Sequence, residues 1–304
     1  MATLYTEIDH NVRKTWVLMG GFFVLIVALG WFFSYYYGSP SILYFAVVLS
    51  IVMNVGSYWY SDKLVLALTR ARAIQKDDNP VLWNIVENLS ITAGLPMPRL
   101  YIVDDPSPNA FATGRNKEHA AVAVTSGLLG MMDRTELEGV LAHELSHIRN
   151  RDILISTVVV MLAGLISIAS DWFLRFGFRG RRGDNERGGQ AQAILMIIGI
   201  ALTILAPLVA LLIRLAISRK REFLADASGA LLTRYPEGLA SALKKISQYG
   251  GKMQHANNAT AHLFIANPFG AREGKSVGFL TKLFMTHPPI QERVEALLGK
   301  RMES

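Results

Sequence analysis

Two apolar runs open the chain and two more divide it. The first extends from about Thr15 to Phe33, with Trp31 inside its far end and Tyr35, Tyr36 and Tyr37 just beyond. The second extends from about Ile42 to Tyr58 and closes in Tyr58-Trp59-Tyr60. Runs of about 20 apolar residues are long enough to cross a bilayer as helices, and aromatic residues at their ends suit the headgroup region. The third run, Ile153 to Ser170, and the fourth, Ala193 to Ile217, have the same reach. The pattern predicts about four apolar helices. The first two are transmembrane; the second pair forms a hairpin that spans, in preference to one that lies shallow or packs on protein.

Between the runs the period changes. Ser61 to Lys76 reads as a basic amphipathic helix that continues the second span into the headgroups. Asn79-Pro80 opens a helix through about Ala93, and Gly94 stops it. Leu100 to Asp104 and Ala120 to Thr125 read as strands, and Asn109 to Gly114 as another strand or its turn. Asp133 and Thr135, with Glu136 and Glu138 three residues after each, are capping-box signatures for the next helix. That helix is predicted to run through Asp152 into the third apolar run. No internal repeat is apparent. The elements add up to an α+β domain interrupted by a membrane hairpin. Its parts are an anchor over 1–60, a first portion over 61–152, the hairpin over 153–218, and a second portion over 219–304.

Composition agrees with a membrane protein: 51% of the 304 residues are hydrophobic, and the mean hydropathy is +0.28. The first run is too long for the core of a typical cleaved signal, and no small-residue cleavage site follows it. The absence of cysteine excludes disulfides and thiolate metal ligands. Much of the net charge of +7 lies beside the apolar runs, where anionic lipid accounts for it and nucleic acid is not called for. Arg13 and Lys14 precede the first run, while Lys63, Arg70, Arg72 and Lys76 follow the second. Both ends of that hairpin therefore favour the cytoplasm. If the third and fourth runs also span, the loop carrying Arg175, Arg179, Arg181, Arg182 and Arg187 lies outside, against the same rule.

The candidate chemistry is in His143-Glu144-Leu145-Ser146-His147. Positions i and i+4 share a helix face, so His143 and His147 can offer two nitrogens to one metal ion. Glu144 stands beside them as a general base for a water that the metal activates. A catalytic zinc site takes a third protein ligand. The pattern H-E-x-x-H-x-x-G-x-x-H is excluded, because Asn150 and Ile153 occupy its glycine and histidine positions. A downstream carboxylate is the other source. Glu222 and Asp226 share one helix face after the fourth run; Glu222 can ligate while Asp226 takes a ligand histidine's ring N–H. By spacing alone, solvated partners of Arg219, Lys220 and Arg221 are an equal reading.

His143 to His147 followed by Asn150-Arg151-Asp152, then Arg221-Glu-Phe-Leu-Ala-Asp226, then Thr286-His-Pro-Pro289 with Arg293, resembles the HtpX family. These are bacterial membrane zinc metalloproteases related to the CAAX prenyl proteases, and the resemblance covers nearly the whole chain. It implies a zincin-like fold with one zinc per chain, and it makes Glu222 the third ligand. It also implies proteolysis at the cytoplasmic side of the cell inner membrane, in quality control of misfolded or damaged membrane proteins. Substrates are then membrane proteins and the bilayer itself is a partner; self-cleavage is an added hazard, and the residues carry no signature of an oligomeric state.

The resemblance also suggests roles for further residues. His287 is similar to a family histidine that faces the site and could stabilise an oxyanion; a turn histidine fixed by two prolines is an equal reading. Arg293 is similar to an arginine near the site, with an ion pair to a neighbouring helix just as plausible. Asn109 matches a motif beside the substrate groove, against an Asn turn before a strand. Ala120 to Thr125 is either an edge strand that binds an extended peptide or an interior one. His119, His255 and His262 read as surface or loop residues rather than ligands.

Rival classes fit less well. An intramembrane protease would place H-E-x-x-H inside an apolar span, but Arg149 to Asp152 follow it at once. A transporter would want polar residues in its spans, and Asn54 and Arg214 are the main exceptions. A proteolytically inactive zinc-binding membrane scaffold stays open on sequence alone.

Overall fold

The computed structural model describes residues 4–160, 162, 199, 219–254, 260–270 and 288–299. The third and fourth runs fall outside the described residues except for 153–160, 162 and 199; so do the arginine-rich loop, His255 and His287.

Helix α1 spans Leu4–Tyr37 and α2 spans Pro40–Leu68. Gly38, in the left-handed region at φ 64°, turns the chain between them. Each holds a stretch long and apolar enough to cross a membrane, Asn11–Tyr37 and Pro40–Leu68. Only 33% and 17% of their most apolar windows are buried within the protein. The outward surface carries Trp16, Val24, Trp31, Phe45, Val52 and Trp59, an apolar area that water disfavours and lipid does not. Helix α2 ends sooner than the amphipathic reading of 61–76 expected. Arg70 adopts φ 53°, and Arg72–Ala73 becomes strand β1 by pairing with Ile102 and Tyr101.

Helix α3 (Pro80–Ala93) follows its local signals closely. Asn79 caps it by accepting from the Leu82 N–H, and Gly94 closes it at φ 66°. Strands β2 (Arg99–Val103), β3 (Ala110–Gly114) and β4 (Ala120–Thr125) complete the sheet. Its order is β1-β2-β4-β3, with β2 and β4 parallel and the other pairs antiparallel. Strand β4 is therefore interior, which overturns the reading of Ala120 to Thr125 as a peptide-binding edge. Both its backbone edges are already paired. Beyond β3, the Ala110 carbonyl accepts from the Ile265 N–H at 3.0 Å.

Alternation along β4 divides the core into two layers. Ala120, Val122 and Val124 join α3, α4 (Ser126–Met131), α5 (Arg134–Arg149) and α8 (Pro236–Tyr249). Ala121 and Ala123 face the other way, toward Val65 and Leu66 of α2, Phe111, Leu263 and Phe264. The end of α2 thus packs under the sheet that α5 packs above.

Helix α5 does not continue into the third run. It ends at Arg149, Arg151 turns into the left-handed region at φ 56°, and a new helix, α6, covers 152–160. On one continuous helix, residues five apart point about 140° from each other. The break is what lets Asp152 reach back to His147. Helix α6 packs on α1, with Leu154, Ile155, Val158 and Val159 against Leu18, Met19, Phe22 and Ile26. Helices α7 (Arg219–Thr233), α8 and α9 (Ile290–Leu297) supply the second portion of the domain.

The start of α5 is clamped twice. Asp133 and Glu136 form the expected capping box, and Glu136 also accepts from Ser241 and Lys245 of α8, both at 2.7 Å. Burial pushes the Glu136 carboxyl up, but these hydrogen bonds outweigh it and hold the pKa below the usual range. A carboxylate lowered on folding contributes stability above its unfolded pKa of about 4.3, and loses it as pH falls through the lower folded value. Glu136→Gln should therefore lower stability at pH 7 by about 1–3 kcal/mol. The gap to wild type should close below about pH 4, as read by thermal unfolding at both pH values.

Candidate metal centre

Helix α5 presents His143, Glu144 and His147, of which the first two are buried. Their Nε2 atoms lie 3.1 Å apart. Two nitrogens bound to one tetrahedral zinc at about 2.05 Å would stand roughly 3.3 Å apart. Glu222 of α7 comes within 3.8 Å of His143 Nε2 through Oε2, and within 3.6 Å of His147 Nε2 through Oε1. One ligand atom from each of the three residues lies within 4.8 Å of the others. The equal reading of Glu222 as a solvated partner of nearby cations is set aside by its burial at 6% exposure.

Behind each histidine stands a carboxylate. His143 Nδ1 donates to Asp226 Oδ1 at 2.9 Å, and His147 Nδ1 donates to Asp152 Oδ2 at 3.0 Å. With Nδ1 protonated, each neutral ring keeps its Nε2 lone pair directed at the shared position. This donor set, nitrogen and carboxylate oxygen without sulfur, fits zinc.

Arg293 is the largest fully buried side chain among the described residues. Its guanidinium grips Asp226 at 2.9 and 2.7 Å and donates to the Ile265 carbonyl at 3.2 Å. Both readings of Arg293 hold: it lies at the site, and it does so through an ion pair with a neighbouring helix. Burial opposes charge on Asp226, yet His143 and Arg293 keep its carboxyl below the usual range. The two histidines then diverge. Burial, with the positive neighbours Arg293 and His147, pushes His143 down to about 4. Burial also acts against His147, but Asp152, Glu222 and Glu144 raise it to about 9. A field that favours a proton on His147 favours a divalent cation too. The metal must displace that proton, so its retention weakens as pH falls.

The site depends on the close approach of α5 and α7. A Cβ on Gly229 would stand 2.9 Å from the His143 backbone nitrogen and 3.2 Å from the Ala142 carbonyl carbon. Backbone cannot yield as a side-chain tip can. Gly229→Ala should part the helices, carry Glu222 away from the histidines, and cost about 1–3 kcal/mol. Chelator competition should show weaker zinc retention in this variant; unchanged retention would contradict the packing account.

Of the remaining candidates, Asn109 and His262 serve the frame and His119 does not. Asn109 exchanges hydrogen bonds with Ala266, donating to its carbonyl at 3.0 Å and accepting from its N–H at 3.2 Å. His262 lies in a short 3-10 turn, Ala261–Leu263, and is buried, with Nε2 3.3 Å from the Ser156 carbonyl, which corrects its reading as a surface or loop residue. His119 is exposed and pairs with Asn116 and Arg115. Asp152 was missed as a site residue. Its signal was the Asn150-Arg-Asp152 triplet, which carried family resemblance without a role.

Comparison with known proteins bears on the whole chain. The profile of "Peptidase family M48" matches residues 76–301. The chain belongs to peptidase family M48. Members are zinc-dependent metallopeptidases, and the His143, His147 and Glu222 group can bind such an ion. "Protease HtpX homolog" from Thermoanaerobacter pseudethanolicus is 48% identical over 99% of both chains. The protein of that name from Tropheryma whipplei is 46% identical over 97% of each. The crystal structure of S. mikatae Ste24p shares the fold, with a TM-score of 0.52 at 19% identity over 98% of this chain. This M48 chain spans 66% of the length of that one.

Proposed function

We propose that this peptidase uses His143, His147 and Glu222 as zinc ligands and Glu144 as general base. In this reading it cleaves misfolded or damaged membrane proteins at the cytoplasmic face of a bacterial inner membrane. The observation that carries the reading is the convergence of two Nε2 atoms and the Glu222 carboxylate on one buried position, each histidine oriented by its own carboxylate.

When bound, zinc supplies a Lewis acid that acidifies water and polarises the scissile carbonyl. Glu144, 2% exposed and next to His143 in sequence, takes the proton of the attacking water and passes it to the leaving amine. Asp226 and Asp152 hold the imidazoles in one tautomer throughout, and Arg293 holds Asp226. His287 is proposed to donate to the oxyanion; Arg293 supports this, since it brings α9 to His143 six residues further on.

Membrane attachment is supported by α1 and α2, which expose apolar surface along their length. Asn11, near the start of α1, hydrogen-bonds Asp152, and Val65 and Leu66, near the end of α2, pack under the sheet, both at the side of the hairpin away from its turn at Gly38. These contacts support a catalytic portion on the side that carries Arg13, Lys14, Lys63, Arg70 and Arg72, the side that the positive-inside rule assigns to the cytoplasm. Two further spans are proposed for the third and fourth runs.

The test is a single unfolded reporter, presented to reconstituted enzyme either tethered to the same vesicles or free in solution. Faster cleavage of the tethered form is expected. Preference for the free form would contradict the membrane-substrate reading.

A further inference from the structure

Helix α1 is apolar from Thr15 onward, yet its buried residues include an amide. Asn11 is 2% exposed, and both ends of its side chain are engaged. Nδ2 donates to Asp152 Oδ1 at 2.7 Å and to the Asn150 carbonyl at 3.0 Å. Oδ1 accepts from Arg221 Nη1 at 3.2 Å. One side chain therefore joins the first membrane helix to the turn after the H-E-x-x-H helix and to the residue preceding Glu222.

Asp152 is shared between this cluster and the metal position. Its Oδ1 faces Asn11 and lies 3.6 Å from Arg221 Nη1, while its Oδ2 accepts from His147. Held at Oδ1 from two sides, the carboxylate has its remaining oxygen aimed at His147 Nδ1. The amide orients the carboxylate by hydrogen bonding at Oδ1, on the side where Arg221 also lies, and leaves Oδ2 to His147. Such outer partners fix ring orientation and strengthen the ligand. The attachment of α1 itself does not require Asn11, because Leu18, Met19, Phe22 and Ile26 already pack on α6.

We propose that Asn11 is a positioning residue of the zinc site: through Asp152 it aims His147, so that one side chain of the first membrane helix contributes to retention of zinc. The inference rests on the reading of His147 as a ligand.

The test uses full-length protein in detergent, with zinc affinity measured by competition with a fluorescent chelator. Asn11→Leu, of similar size, should weaken zinc about tenfold, the lower end of what loss of an outer partner costs. At saturating zinc, kcat on casein should fall while KM stays unchanged. Asp152→Asn should weaken zinc at least as much, and adding Asn11→Leu to it should weaken zinc no further. Met19→Ala loosens the same helix without touching the polar cluster; it should lower the melting temperature and leave zinc affinity intact. If Asn11→Leu folds poorly, Asn11→Ser, too short to span the gap, carries the same expectation.

Wild-type zinc affinity in Asn11→Leu or Asn11→Ser overturns the proposal. So does an equal loss in Met19→Ala, or an additive loss in the double variant. Wild-type affinity in His147→Ala would instead defeat the ligand reading, and this inference with it.

Discussion

Replacing Arg293 by Met should cost about 3–5 kcal/mol of stability, because it leaves a buried carboxylate without its cation. The methionine fills much of the space, so the loss is electrostatic rather than a cavity effect. Asp226, with its side chain 3% exposed, would keep only His143 beside it. The sign of the pH dependence follows from the lowered Asp226 pKa. The contribution is present above the unfolded carboxylate value of about 3.9 and is lost as pH falls through the lower folded one. Thermal unfolding at neutral pH, with chelator present so that zinc does not mask the effect, should show the full loss. Asp226→Leu added to Arg293→Met should recover part of it, since removing both charges leaves neither stranded. A loss below about 1 kcal/mol in the single variant would mean that the pair is not the anchor described.

The second large effect is on turnover. Glu144→Gln should lower kcat by about 10²- to 10⁴-fold while zinc stays bound. Glutamine keeps the shape of the side chain but cannot accept and return a proton. Glu144 contributes to the field that raises His147, so the variant should also shed zinc at slightly higher pH than wild type. Single-turnover cleavage of a quenched peptide gives the rate, and bound metal is counted on the same sample. A scaffold without proteolytic function would lose nothing.

Much of this was legible because it is local. The cap at Asn79, the stop at Gly94 and the capping box at Asp133 are each set within four residues, and each appears where the sequence places it. The strands read at Leu100 to Asp104 and Ala120 to Thr125, and the strand or turn read at Asn109 to Gly114, appear as strands within a residue of those bounds. What stayed hidden depends on distant partners. Strand β1 is two residues long and exists only because Tyr101 and Ile102 pair with it. The interior place of β4 is a matter of topology, and Ala120 to Thr125 would read the same at an edge.

The break after Arg149 carries neither proline nor glycine. Arg151 accepts a left-handed backbone there, and Asp152 gains its bond to His147 as a result. Glu222 was ambiguous because Arg219, Lys220 and Arg221 precede it. In the fold Arg221 turns toward Asn11 and Asp152, while Glu222 turns toward the histidines. Asn11 gave only a faint signal, a lone amide at the mouth of an apolar run.

The most direct measurement is zinc content beside casein cleavage for wild type, Glu144→Gln and Glu222→Ala, purified under chelation and reloaded with zinc. About one zinc per chain in wild type and Glu144→Gln, much less in Glu222→Ala, and cleavage by wild type alone is the expected result. Full zinc in Glu222→Ala, or none in wild type, would contradict the assignment of His143, His147 and Glu222 as the metal site.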